Sequence, residues 1–420
     1  MNMEYHPLLD SILVVVTTSI AVGLTQASSW FRVACVPLLG LSVRHCVANC
    51  PKYITRSAWA ASVGGYTLSS FFHYIDVALL SKWSFELQGP ADDLIGHSPA
   101  MSSTKRTSSG KPLHLSELLT RFAYGISITF SWRFIKSSQE IRNLPQLDSS
   151  LIASRSRFLT HTAMTIVGCY LILDVMDITS DPEITAKFFS LDKVGFLSRL
   201  SDVSVEEIFM RYFAAIGLGV GLIAVQRGVY SIFAFFTVVT GVQGPTDWPP
   251  INGPLSKTYS LRIFWSTFWH QINTHRLYVV SNWLLHRLLR LPRGNLAVRY
   301  LRVFIVFILS GILHVGIDFA SGIGWRESGA LRFFAIQPVG ILIEDLFLST
   351  YKSYIGTPDP RASVMQRCFG FLWVGLWIAW TVPAYMYPVL NSTEAAGVVP
   401  ISVIAPIKTA LEHSSIPTLH

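Results

Sequence analysis

The stretch 304-FIVFILSGILHVGIDFA-320 is almost wholly apolar, yet it carries one histidine, His314, and one carboxylate, Asp318. A run of about 20 apolar residues is what a helix needs to cross roughly 30 Å of hydrocarbon. An ionisable side chain inside such a span is costly, and it is kept where it faces a cavity or a partner. The stretch therefore reads as a membrane helix with a functional group built into it. The rest of the chain has the same character. Its 420 residues are 51% hydrophobic and 14% charged, where a soluble domain carries about 25% charged residues. Mean hydropathy is +0.43. The apolar residues come in long blocks and do not alternate with polar ones, which favours helices over a β-barrel.

The expected fold is an all-α polytopic membrane protein. Spans are placed at Leu8–Thr25, Trp30–Val43, Ala58–Leu80, Phe158–Met176, Ile208–Ala224, Gly228–Val242, Leu301–Phe319, Leu331–Leu348 and Phe369–Leu390, about eight or nine in all. One integral membrane domain over residues 1–420 is expected, without internal repeats. No Lys or Arg precedes Leu8 and Glu4 is present, so the N-terminus does not read as a signal peptide. Arg32, Arg44, Lys52 and Arg56 follow the first span, which puts that loop in the cytosol and the N-terminus in the lumen. Residues 88–113, with SSTKRTSSGK inside them, read as a flexible polar loop. GPTDWPPINGP (Gly244–Pro254) cannot continue a helix.

After that break comes LRIFWSTFWHQINTHR, Leu261–Arg276. Read as a helix, it puts Trp265, Phe268, Trp269 and Ile272 on one face and Ser266, His270 and Asn273 on another. Such an aromatic amphipathic helix suits the membrane interface. Basic residues then continue through Arg287, Arg290, Arg293, Arg299 and Arg302, and no Asp or Glu occurs between Asp247 and Asp318. The formal charge of +8 fits basic loops against an anionic leaflet, and no nucleic-acid module is recognisable.

On a helix, Ser310, His314 and Asp318 share one face. Two readings stand side by side: a general base in a cavity, or a histidine bonding neighbouring helices with Gly311 as a packing contact. A base requires a hydroxyl to deprotonate and an electrophile. The cationic stretch offers a place for an anionic carrier such as coenzyme A, with Arg262, Arg276 and Arg287 as candidates. Each could equally be a solvated basic face. His270 is either a second catalytic group or an interfacial histidine beside Trp269. Asp174, Asp177 and Asp181 in LDVMDITSD could hold Mg²⁺ on a diphosphate or simply end a helix in solvent. The five cysteines show no metal or disulfide spacing. Asn391 opens a glycosylation sequon.

FWSTFWHQ followed, across a basic segment, by FILSGILHVGID resembles the wax synthase-like branch of the membrane-bound O-acyltransferases. DWPPINGPLSKTYSLRIFWSTFWHQ is similar to that family's Trp-Pro-Pro block. FFAIQPVGILIEDLF (Phe333–Phe347) and RCFGFLWVGLWIAWTVPAY (Arg367–Tyr385) resemble its later helices. The likeness spans Ser131 to Tyr385. The closer likeness is to fungal terpenoid and meroterpenoid O-acetyltransferases, through SWRFIKSSQEIRNLP (Ser131–Pro145), which departs at Phe134, where those proteins tend to have Gly. The resemblance implies acyl transfer from acyl-CoA as co-substrate to an apolar hydroxylated small molecule, with no bound cofactor and with the bilayer as surroundings. It implies His314 as general base. His270, or Asn273 near it, would orient the acyl group or bind the oxyanion, with Trp269, Ser310 and Asp318 around them. The expected location is the endoplasmic reticulum membrane. A long-chain wax synthase is the alternative. A transporter or a Mg²⁺-dependent prenyl enzyme is more distant.

Overall fold

The computed structural model describes residues 5–92, 94, 114–355, 364–392 and 397–414. Among these residues fifteen α-helical segments follow one another: α1 (Leu8–Leu24), α2 (Phe31–Tyr53), α3 (Ser57–Tyr74), α4 (Leu115–Phe130), α5 (Ser149–Ile152), α6 (Arg155–Ile178), α7 (Pro182–Phe188), α8 (Val205–Val239), α9 (Leu261–Ile263), α10 (Thr274–Asn282), α11 (Leu296–Ala320), α12 (Ala330–Ile355), α13 (Val364–Thr381), α14 (Pro383–Ser392) and α15 (Ala405–Ser414). Three of them continue into π-helical turns, Ile75–Leu80, Phe264–Phe268 and Trp283–Leu288. Among the described residues the one β feature is an isolated bridge between Ser84 and Gly89. The protein is an all-α polytopic membrane protein. Among the described residues four helices, α2, α6, α8 and α11, are long and apolar enough to cross a bilayer; α13 and α14, bent by 47°, make a fifth as a pair.

The chain forms two compact units. The first comprises Met1–Arg142 and Gln271–Thr357, and the second Asn143–His270 and Pro358–His420. In the first unit, several helices approach closely where glycine removes a side chain. A Cβ on Gly125 would strike the Ser19 carbonyl, and one on Gly23 would strike that of Arg121, so α1 and α4 cross backbone to backbone. Gly64 lies against Ala320 and Gly316 against Leu68, which seats α3 on α11. Small residues at such crossings are how membrane helices gain contact where burial from water contributes nothing. In the second unit α6 and α8 pack through Phe158, Ala234 and Val238. Their first turns are capped by Ser154, which accepts from Arg157 N, and by Ser204, which accepts from Glu207 N.

Three expectations about elements need correction, and one helix was unforeseen. Ile208–Ala224 and Gly228–Val242 are not two spans but parts of the 35-residue α8. Gln226 and Arg227 lower the hydropathy there, yet both are good helix formers and leave the helix unbroken. At 1.5 Å per residue it is roughly 50 Å long, so it outreaches a hydrocarbon core of about 30 Å. Trp30–Val43 is too short, because α2 runs on to Tyr53 with Pro37 and Pro51 inside it. α4 lacks the apolarity of a span, with Glu117 and Arg121 in its first two turns, and was not expected. The interfacial helix Leu261–Arg276 does not exist as one helix. After α9 the backbone winds into the π-turn, the Trp269 N–H reaches the Phe264 carbonyl at 2.8 Å, and Trp269 itself is extended (ψ 144°). The Gly253 N–H takes the Phe268 carbonyl at 3.1 Å, occupying an acceptor that a continuing helix would use. The polar stretch 88–113 falls, apart from residues 88–92 and 94, outside the described residues.

Candidate active site

α11 starts cleanly because the Asn295 carboxamide accepts from Ala297 N and Val298 N. It carries His314 about five turns further on, half-buried. The Nδ1 of His314 lies 2.7 Å from the Ser310 carbonyl oxygen. A carbonyl can only accept, so Nδ1 holds the proton and Nε2 carries the lone pair. That is the tautomer a general base needs. Phe334 of α12 covers the ring at 4.3 Å between centroids. Gly311 makes room for α12: a Cβ there would meet Leu331 and Phe334. Ser310 therefore contributes its carbonyl. Asp318, on the same face, is buried and accepts from the Ser328 hydroxyl at 2.6 Å, at the turn into α12.

The first unit holds a second histidine site that the sequence did not single out. His275 Nδ1 meets Asp76 Oδ2 at 2.7 Å, and the other Asp76 oxygen accepts from the Ser81 hydroxyl at 2.6 Å. All three are buried. Next in sequence, Arg276 is 1% exposed, donates to the Ser69 carbonyl and, at 2.9 Å, to that of Ile272, and lies 4.2 Å over the Trp132 ring. Burial pulls its guanidinium down, to about 9, against the opposing pull of the Asp76 carboxylate; it stays cationic at neutral pH. Arg276, a candidate for coenzyme A, is thus engaged inside the unit. Asn273 stands at the N-cap of α10.

At the head of α11 lies a pocket of about 340 Å³, lined by His286, Arg293, Arg299 and Arg302 together with Tyr278 and Asn282. Arg302 is held by Asn282 Oδ1 at 3.3 Å and by the Tyr278 ring. Arg293 and Arg299 are exposed. Cations beside a helix N-terminus favour an anionic group. Arg287 lies outside this lining, 3.9 Å from Asp92.

In the second unit His270 follows the π-turn, with its ring 5.5 Å from that of Trp269. Trp269 stacks on Phe264 at 5.9 Å and meets Trp265 edge-on. Arg262 lies in α9 of the same unit. The acidic run has other partners: Asp174 accepts from Val403 N and Ile404 N, Asp177 from Val399 N, and Asp181 caps α7. These carboxylates hold backbone N–H groups, most of them in the C-terminal segment. Asn391, of the sequon, donates to the Phe189 and Tyr387 carbonyls.

Residues 248–336 match the sequence profile of the Membrane bound O-acyl transferase family. The chain is 32% identical, over 96% of its own length and 97% of the relative's, to "Acetyltransferase aurG" of Calcarisporium arbuscula. The chain belongs to the membrane-bound O-acyltransferase family. It is an acyltransferase. "Acetyltransferase ataH" of Aspergillus terreus is 34% identical over 68% of this chain and 95% of its own. "Acetyltransferase TRI7" of Fusarium sporotrichioides is 30% identical over 55% and 54%. No solved structure matches. The matched segment begins at Trp248 and includes His270, the pocket's three arginines and His314.

Proposed function

We propose that the chain is an acyl-CoA-dependent O-acetyltransferase of the endoplasmic reticulum membrane, acting on a hydroxylated terpenoid or meroterpenoid. The observation that carries the mechanism is the hydrogen bond from His314 Nδ1 to the Ser310 carbonyl. It leaves Nε2 as the basic nitrogen. Nε2 takes the proton of the acceptor hydroxyl while that oxygen attacks the thioester carbonyl carbon. The C–S bond then breaks, the ester departs, and the leaving thiolate receives the proton from the imidazolium. No covalent acyl-enzyme forms. The apolar surroundings of α11 keep water from the thioester. His270 is assigned to the acyl carbonyl by its match to the family's upstream position, with Asn273 near it as the alternative donor.

The acyl donor's phosphates suit the pocket at the head of α11. Arginine forks pair with phosphate oxygens in two-point contacts, and Arg293, Arg299 and Arg302 all line it. Arg262 and Arg287 remain as further donor contacts. Relatives named acetyltransferases favour a two-carbon acyl group over the long chain of a wax synthase.

The test is esterification by microsomes holding the full chain, with labelled acetyl-CoA and a pool of hydroxylated terpenoids. Acetyl ester is expected, with little loss when unlabelled palmitoyl-CoA competes. Efficient competition with accumulation of palmitoyl ester would support the wax synthase reading instead. No ester from either donor would overturn the assignment.

A further inference from the structure

The head of α10 is fastened to α3 at two successive residues. His275 is bonded to Asp76 at 2.7 Å, in the π-turn that prolongs α3, and Arg276 is bonded to the Ser69 carbonyl. Ser81 fixes the second Asp76 oxygen, so the carboxylate cannot turn away. From the other side Phe134 closes on the imidazole, 4.2 Å between ring centroids. Phe134 does so from a left-handed backbone (φ 50°), a conformation that is unfavourable for a bulky residue. Polar and charged groups of this kind are expensive to bury unless they bond one another, and π-turns and backbone strain gather where geometry serves function.

What this clamp holds in place is Asn273. Asparagine is among the best N-cap residues, and Asn295 caps α11 in the ordinary way. Asn273 occupies the N-cap of α10 with near-helical angles (φ −99°, ψ −4°), and its side chain caps nothing. Its Oδ1 is buried and, among the described residues, accepts no hydrogen bond. A buried amide end without a partner is costly, and such a group is kept where a ligand completes it.

We propose that Asp76 and His275 are positioning residues for the acyl-transfer reaction: together they set the first turn of α10 so that the Asn273 carboxamide meets a polar group of the bound substrates. This rests on the acyltransferase reading above. The chemistry that would pair with a carboxamide oxygen is an N–H or O–H donor. The amide N–H groups of the pantetheine arm qualify; the acceptor hydroxyl gives its one proton to His314. Neither Asp76 nor His275 touches the reacting atoms in this scheme. They act through Asn273.

The test is a double-mutant cycle in the full-length protein, reading kcat/KM with acetyl-CoA and an alcohol the wild type accepts. Asn273→Ala and Asp76→Asn are each expected to lower kcat/KM by up to about 10²-fold, the scale of a 1 Å misplacement. If Asp76 acts through Asn273, the double variant falls no lower than the worse single one. Hydrogen exchange supplies a readout that does not require turnover: Asp76→Asn should speed exchange at residues 271–277 and leave α1, α2 and α11 as in the wild type. Fully additive losses, a normal kcat/KM in Asn273→Ala, or a loss in Asp76→Asn that tracks only the amount of folded protein would each overturn the proposal. Should Asp76→Asn fail to fold, Ser81→Ala removes one hydroxyl and enters the same cycle with a smaller expected loss. A wild type that transfers no acyl group would defeat the functional reading by itself. Unchanged exchange at 271–273 in Asp76→Asn would then overturn the positioning role separately.

Discussion

Phe134 combines two opposing terms at one residue. Its left-handed backbone (φ 50°) costs a residue with a Cβ about 1–2 kcal/mol. Its ring, 1% exposed, is stacked on Trp83 at 4.8 Å and leans on His275, and deleting a buried Phe costs about 3–5 kcal/mol. Packing wins, so the strained backbone persists. Phe134→Gly removes both terms and Phe134→Ala only the second. The Gly variant should therefore lose about 1–4 kcal/mol and the Ala variant about 1–2 kcal/mol more, the reverse of the usual order of these residues in folded segments. Thermal unfolding of the two variants in detergent measures this; an Ala variant at least as stable as the Gly variant would mean that position 134 is unstrained. Residues differ in how plainly the sequence displays them. His314 stands out because a titratable group in an apolar helix is costly. Asp76 and His275 are 199 residues apart, and nothing in either neighbourhood points to the other. Asp174 and Asp177 are conspicuous as a cluster, but their partners are backbone N–H groups near the C-terminus, which no side-chain pattern announces.

Elements were legible where a long apolar block coincides with a helix, as in α6 and α11, and illegible where polarity and helicity part company. α8 continues through Gln226 and Arg227 because helix propensity ignores their polarity. The break at Trp269 was hidden because FWSTFWHQ has helical spacing, and it arises where the Phe268 carbonyl accepts from the Gly253 N–H, a partner outside that block. Helix crossings follow a rule that can be tested directly. Gly125 packs on the Ser19 carbonyl, while Gly40 has open space where a Cβ would go. Gly125→Ala should destabilise the protein by about 1–3 kcal/mol, as overpacking does. Gly40→Ala should be neutral or stabilising by up to about 1 kcal/mol. Equal melting temperatures for the two would contradict backbone contact between α1 and α4. At the head of α11, Arg299→Glu should raise the KM for acetyl-CoA by about tenfold or more, since a charge-assisted contact contributes roughly 1.5–3 kcal/mol. It should leave kcat nearly unchanged, because the contact is the same in ground and transition states. An unaltered KM would remove the donor phosphates from that pocket.

For the whole molecule, composition alone set the class. With 14% charged residues and 51% hydrophobic ones, the chain has too little polar surface for water and enough apolar length for a bilayer. Its family was legible through two histidine blocks at a characteristic separation, and relatives covering nearly the entire chain bear this out. The division into two units was not legible, since each is assembled from segments distant in sequence and hydropathy reports only local character. The acceptor's shape was equally hidden, because it depends on packing between apolar side chains that sequence leaves interchangeable. In the proposed mechanism the reaction depends on one imidazole nitrogen. The decisive measurement is the rate of ester formation by purified protein in lipid nanodiscs, comparing wild type with His314→Ala and His314→Gln at matched amounts of folded protein. Removal of a general base should slow transfer by about 10²–10⁴-fold in both variants, with KM for acetyl-CoA little changed. Transfer at the wild-type rate in His314→Ala would contradict the assignment of His314 as the base and leave it a packing residue between α11 and α12.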